Sequence, residues 1–389
     1  LVNPLTEAIN MRTMRLHIIL ILVFTLAVLA ACSPKTTSSP TPVPTATQAA
    51  PAVPVPATLQ AKTAWDKVID AAKKEGEVTI YSFNYTGDIG TALTKAFKNK
   101  YGITLNIITG RGAEFAERIK TEKRVGQMVG DITEGSITNI LTLKDSGLTI
   151  TLSDLPIFQD GSEWQVDPRT NDADAHVIAT FQIVYSPWVN TRLLTPQQIP
   201  SSYKDLLKPE WKGKIIAHDP IISSAAYNYF VPLVNNKVLD WDYVKALGRQ
   251  QLRLVAGGPQ AADSLARGEY PIILMNTDTN GARFVSEGAP IKAVSWQEGD
   301  VAQLGGEVVI KDSPHPNAAK VLANWLLMEE AQRIIGEKQG IAMVRKGVPD
   351  FRPPNARAPS VKRVIAAAKD YDDQARLMRD RYIPDLWKN

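Results

Sequence analysis

The chain has a single cysteine, Cys32, among 389 residues. No intrachain disulfide and no multi-thiolate metal site can form, so the folded state must rest on its core. Histidine is nearly as scarce, limited to His17, His176, His218 and His315, which leaves thin material for imidazole catalysis or chelation. Neither sign of charge is in excess, the formal net charge being +4, and so balanced a chain carries no electrostatic footprint for nucleic acid. A Gly-x-Ser-x-Gly elbow and a His-Glu-x-x-His pair are both missing, and Gly110-Arg111-Gly112 lacks the third glycine of a dinucleotide loop.

What is present begins with an apolar stretch from Leu16 to Leu29, preceded by Arg12 and Arg15 and ended by Leu29-Ala30-Ala31-Cys32. The stretch is shorter than the about 20 apolar residues a membrane-spanning helix needs. A basic start, a short apolar core and small residues at the end make a secretory signal peptide. Residues 1–31 are therefore expected to be a leader, with the true start at Met11 or Met14. The Leu-Ala-Ala-Cys ending resembles the bacterial lipobox, which implies cleavage before Cys32 and a lipid on its sulfur. Loss of the leader would leave 42 basic and 39 acidic residues. Residues 32–60 are rich in Pro, Thr, Ser and Ala, with seven prolines from Pro34 to Pro56, too polar to bury a core. In an extended form of roughly 3.1 Å per residue, the segment after Cys32 reaches about 85 Å at most. It reads as a disordered tether that holds a folded body at a membrane surface.

About 330 residues remain, more than one typical core, so two lobes are expected. Trp65, Val68, Ile69 and Ala72 recur at helical spacing, closed by Lys73-Lys74-Glu75-Gly76. Glu77–Ser82 reads as a strand, Ile89–Tyr101 as a helix, Leu105–Ile108 as a strand and Glu114–Val125 as a helix. That alternation predicts an α/β fold with a mostly parallel sheet. Further strands are predicted at His176–Tyr185, near Ile215, at Pro271–Asn276 and at Gly306–Ile310. Helices are expected from Ser224 to Leu233 and from Trp241 to Leu247, and a long amphipathic one from Pro316 to Gly336.

Four stretches in order resemble the extracytoplasmic solute-binding proteins of ABC importers, especially those for ferric iron, thiamine, aminophosphonates or polyamines. They are Trp65–Gly76 with Ile80-Tyr81-Ser82; Gly110-Arg111 with Arg118-Ile119, Glu122 and Gly130–Ser136; Lys208–Lys214 with Asp219-Pro220; and Ser313–Ala319 leading to Asn324–Gln332. The resemblance covers essentially the whole folded part. It implies a two-lobed type II periplasmic-binding-protein fold, each lobe a mixed sheet flanked by helices, joined by crossing strands. Residues 61–179 and 304–343 would form lobe one, and 186–303 and 344–389 lobe two, with the ligand in the cleft between them.

Strand ends in an open α/β sheet leave backbone donors and helix starts at the crevice. The candidate ligand contacts are Ser82 and Asn84 after the first strand, Arg111 in the next loop, and Glu134 and Ser136 after Asp131. From the second lobe come Ser223, Ser224 and Tyr227 at a helix start, and Asn276 and Asp278 after an apolar strand. Each has a plainer reading as a cap or a solvated side chain. The ferric-binding relatives carry adjacent tyrosines after the strand that here ends at Asn276, where this chain has Thr277-Asp278. Tyr227 and Tyr229 diverge by about 200° on a helix, so they do not share a metal easily. An organic solute, or iron held by a chelator, fits better than direct ferric binding. His218 reads as a strand-end residue and His315 as part of a turn.

The expected function is capture of a small polar or anionic solute and its delivery to an ABC permease. No enzyme activity, no cofactor and no resident metal are expected, and a monomer anchored through Cys32 outside the cytoplasm is the expected form. The alternatives are a binding lobe that feeds a sensor and a secreted enzyme on the same scaffold.

Overall fold

The computed structural model describes residues 63–110, 112–220, 225–360 and 362–365. The leader, Cys32 and the tether lie outside the described residues, as do Arg111, Ser223 and Ser224.

Folding starts from strong local signals. Helix α1 (Ala64–Glu75) opens on a reciprocal box, the Asp66 amide donating to Thr63 Oγ1 and the Thr63 amide to Asp66 Oδ2. It closes at Gly76 with φ near +78°, a left-handed cap that glycine adopts without strain. Then follow β1 (Glu77–Ser82), α2 (Gly87–Tyr101), β2 (Thr104–Thr109), α3 (Gly112–Val125), β3 (Ile132–Ser136) and α4 (Ile137–Asp145). Strands β2, β1 and β3 lie side by side in parallel. A long strand, β4 (Ile178–Asn190), leads into the second run. That run comprises β5 (Ile215–His218), α5 (Ala225–Asn235), α6 (Trp241–Gly248), β6 (Arg253–Val255), α7 (Gly258–Ala266), β7 (Ile272–Thr277), α8 (Asp278–Ser286) and β8 (Ile291–Ala293). The chain returns along β9 (Asp300–Val309) and adds α9 (Pro316–Leu326), α10 (Glu329–Gln339), β10 (Ala342–Met343) and β11 (Arg363–Ile365).

The sheet path is β2-β1-β3-β9-β4-β7-β5-β6. At its centre β4 and β9 run antiparallel to each other, from Ile178 beside Glu307 to Tyr185 beside Val301. These two strands belong to both cores. The first core takes residues from Ala72 to Phe181 and from Leu304 to Val348. The second takes Tyr185 to Val301 with Val364, and a further cluster around Trp188, Ile216 and Phe284 covers the other face of its sheet. Among the described residues five of the strand pairings are parallel and five antiparallel, because β4 and β9 run against their neighbours along the sheet path, so the sheet is mixed and not mostly parallel as the alternation of strands and helices predicted. Flanked by helices, it gives the expected two-lobed α/β architecture. The chain passes between lobes a third time after Val348, since Ala356 packs in the cluster around Trp188.

The long helix expected from Pro316 to Gly336 is two helices. The break at Leu327-Met328 is held from outside: Gln332 Nε2 donates to the carbonyls of Leu326, 2.8 Å away, and Thr180, 2.9 Å away. A carbonyl freed at a helix end needs such a partner; here it comes from α10, whose Gln332 side-chain amide also ties the break to the Thr180 carbonyl on the adjoining sheet.

Candidate ligand-binding site

Strands β1 and β3 end at the same edge, with Tyr81 beside Thr133, so Ser82 lies next to Glu134. Ser82 Oγ donates to Glu134 Oε2 at 2.6 Å, and Asn84 Nδ2 donates to Glu134 Oε1 at 2.8 Å. The amides of Phe83 and Asn84 add bonds of 3.1 and 3.2 Å to Glu134 Oε2. Ser82 Oγ in turn accepts from the amides of Asn84 and Tyr85. Three expected contact residues are thus brought together, but Glu134 and Ser82 spend their polar atoms shaping the loop and are fully buried. The same loop leaves Phe83 exposed and Asn84 half-exposed. Ser136, half-buried, stands at the N-cap of α4.

The second lobe offers a matching edge. Asn276, near the end of β7, is completely buried; its Oδ1 accepts from the Thr277 amide at 3.0 Å and from Asn280 Nδ2 at 3.1 Å. Its Nδ2 has no partner. A Cβ on Gly258 at the start of α7 would lie 1.9 Å from Asn280 Nδ2 and 2.6 Å from Asn276 Oδ1, so a side chain there would displace this pair of amides. Asp278 begins α8, but its carboxylate is taken by Arg352, which also binds Asp350. Tyr227 is half-buried on α5, whereas Tyr229 turns into the core with its hydroxyl 2.8 Å from that of Tyr203. His218 ends β5, nearly fully buried, with neither ring nitrogen hydrogen-bonded. His315 is the N-cap of α9, where its amide and Nδ1 meet Asp131.

Between the two edges the crossing strands carry a polar joint that the sequence reading missed. Tyr185 on β4 donates to Gln303 Oε1 on β9 at 3.4 Å, and Asn228 Nδ2 from α5 reaches the same oxygen at 3.3 Å. Deeper in lobe one, Glu307 on β9 accepts from Tyr85 Oη and Thr180 Oγ1, both at 2.9 Å. A glutamate inside the apolar run Gly306–Ile310 was the available signal for that residue.

Burial governs the electrostatics. It raises the Glu134 carboxyl to about 7 against the pull of the Ser82 and Asn84 hydrogen bonds. Burial and then the Glu134 charge raise Glu307 to about 8. Burial lifts Asp278 to about 6 while Arg352 opposes it, and lowers His218 to about 4, leaving a neutral imidazole at neutral pH. Among the described residues no group of three or more His, Cys, Asp or Glu side chains could hold a metal ion. The edges therefore offer amides, hydroxyls and helix starts, which suit hydrogen bonding to a polar solute.

The sequence profile of the bacterial extracellular solute-binding protein family matches residues 92–366. The chain belongs to that family. Among curated relatives, the iron uptake protein A1 of Synechocystis is 22% identical over 299 residues, 72% of this chain and 79% of that protein. A Trichodesmium protein solved with iron and citrate superposes with a TM-score of 0.65 at 20% identity, covering 80% of this chain and all of that one. AfuA of Actinobacillus pleuropneumoniae, solved with fructose 6-phosphate, gives 0.57 at 23% identity over 80% of this chain and 98% of that one. At such identities the solved structures establish the fold, the type II periplasmic-binding-protein arrangement. Members of this family are binding proteins that work outside the cytoplasm, and no described helix of this one is long and apolar enough to cross a membrane.

Proposed function

We propose that this member of the solute-binding family captures a small polar or anionic organic solute between its lobes and delivers it to an ABC permease. The observation that carries the reading is the pairing of two polar strand-end edges on either side of crossing strands β4 and β9. On one edge stand Phe83, Asn84 and Ser136; on the other lie Tyr227 and Asn276, whose Nδ2 has no hydrogen-bond partner. Arg111, Ser223 and Ser224 complete the proposed contact set. The lipobox-like Leu29–Cys32 and the tether support a lipid-anchored receptor that stays within reach of its transporter. No bond is broken by the protein in this reading.

Direct coordination of ferric iron has little support. The carboxylates of Glu134 and Asp278 are already engaged by Ser82, Asn84 and Arg352. Hard-cation binding needs a convergent set of oxygen donors, which the described residues do not supply. Iron wrapped in an organic acid, of the kind named for the Trichodesmium protein, stays within the proposed solute class. Native mass spectrometry of the full-length protein tests the proposal. An adduct that leaves on denaturation is expected, with the mass of an organic or chelate species. A bare metal mass, or an apo protein that shows no thermal shift with ferric citrate, hexose phosphates, thiamine or polyamines, would overturn it.

A further inference from the structure

Glu134 and Glu307 face each other directly across the antiparallel pair β3–β9. Cβ atoms of such a pair lie about 5 Å apart, and like charges placed so are destabilising. Both side chains are completely buried. Among the described residues no lysine or arginine hydrogen-bonds to either. Tyr85, from the loop after β1, is the other titratable group in contact, and it donates to Glu307. Helix α10 presents only neutral amides here, Gln332 to the Thr180 carbonyl and Gln339 to that of Asn84. Two buried carboxyls without a cation cannot both ionise cheaply.

The hydrogen bonds say which one keeps its charge. Glu134 receives four donors, the full set a carboxylate wants. Glu307 receives two, both on Oε1, and its Oε2 has no partner. Oε2 is therefore the seat of the proton.

The pair also sits at a mechanical joint. Thr180, bound to Glu307, is the residue at which the β4–β9 register slips between Ala179 and Phe181. Opposite the slip are Gly305 and Gly306; a Cβ on Gly306 would lie 1.9 Å from the Ile178 carbonyl oxygen. Nothing bulkier could relieve a displaced Thr180. Glu134, on its side, holds the loop that carries Phe83 and Asn84.

We propose that the Glu134–Glu307 pair holds one proton, on Glu307, and that its release to solvent as the medium turns alkaline loosens both the loop after β1 and the register slip in β4, making solute capture proton-dependent. The final clause rests on the solute-binding function; the single proton and the loosening do not. Once both groups are charged, the cheapest relief is for Glu307 to turn away or admit water, which breaks its bonds to Tyr85 and Thr180.

The test uses the full-length protein without added solute. Infrared difference spectra across an alkaline titration should show the loss of one more protonated-carboxyl C=O band in the wild type than in Glu307→Gln, in which the buried Asp278 and Asp300, also raised by burial, still titrate. Amide exchange at Phe83–Tyr85 and Phe181, corrected for its intrinsic pH dependence, should rise about tenfold or more across the same titration. In Glu307→Gln that rise should vanish. Absence of a protonated-carboxyl band at neutral pH, or a band that titrates without any change in exchange, overturns the proposal. If Glu307→Gln does not fold, the wild-type spectra decide the proton and Glu134→Gln supplies the exchange control. Both signatures in a protein that binds none of the solutes above would uphold the proton on Glu307 and overturn the transport function instead.

Discussion

Replacing Arg352 by Met removes the cation that faces Asp278. Arg352 and Asp278 are 5% and 1% exposed, so the carboxylate left behind has only the Thr279 amide, 2.9 Å away, to meet. Breaking a buried pair from one side costs about 3–5 kcal/mol. Asp350 is much less affected, being partly exposed and flanked by Arg357. For a folded part of about 330 residues the unfolding entropy is roughly 0.7 kcal/mol/K, so the melting temperature should fall by about 4–7 °C. The loss should shrink under acid conditions: burial already holds the Asp278 carboxyl near 6, and without Arg352 it rises further and the group simply takes up a proton. Calorimetry on Arg352→Met and on the double variant with Asp278→Asn provides the assay. The double variant should recover most of the loss at pH 8. Equal melting temperatures for the single and double variants would show that packing of the arginine stem, not the charge left behind, explains the effect.

Three further outcomes are expected. Gly305→Ala puts a Cβ 2.0 Å from the Phe181 ring and should cost about 1–3 kcal/mol; denaturant melts check it, and a normal midpoint would refute the tight approach of β4 and β9. The raised Glu307 carboxyl, about 8, means that the folded chain keeps a proton the unfolded chain has lost above its ordinary carboxyl range. Its contribution is full on the acid side of that range and is lost as pH rises through about 8, so melting temperature should decline between about pH 5 and about pH 8; a rise would contradict the sign. Ser82→Ala removes a hydroxyl bonded to a charged acceptor, a loss of about 1.5–3 kcal/mol. It should speed amide exchange in the loop after β1 and weaken solute binding, and unchanged exchange would show that the loop is held by the backbone amides alone.

The lobe-one run from α1 to α3 was legible because its signals are local. The spacing of Trp65, Val68, Ile69 and Ala72 and the stop at Gly76 mark the first helix, and the structure closes it at that glycine. The split of α9 from α10 was not legible: no glycine or proline marks it, and Gln332 bonds to Thr180, which is far away in sequence. Helix α7 was hidden for the opposite reason, since Gly257-Gly258-Pro259 looks like a loop but supplies an N-cap and the close approach to Asn276. At the site, polar residues at strand ends could be named from the chain alone, but their partners could not. Glu134 and Asp278 looked like ligand contacts because Ser82 and Arg352 become their neighbours only through the fold.

The order of strands in the sheet sets a timetable for biosynthesis. Strand β3 has β9 as its inner neighbour, so its edge stays bare until Val309 has been made. The first core waits for helices α9 and α10 and for Val348, and the second for Val364. The first half therefore cannot close early on the ribosome, and a nascent chain whose leading half stays open is one that a secretion channel can still thread.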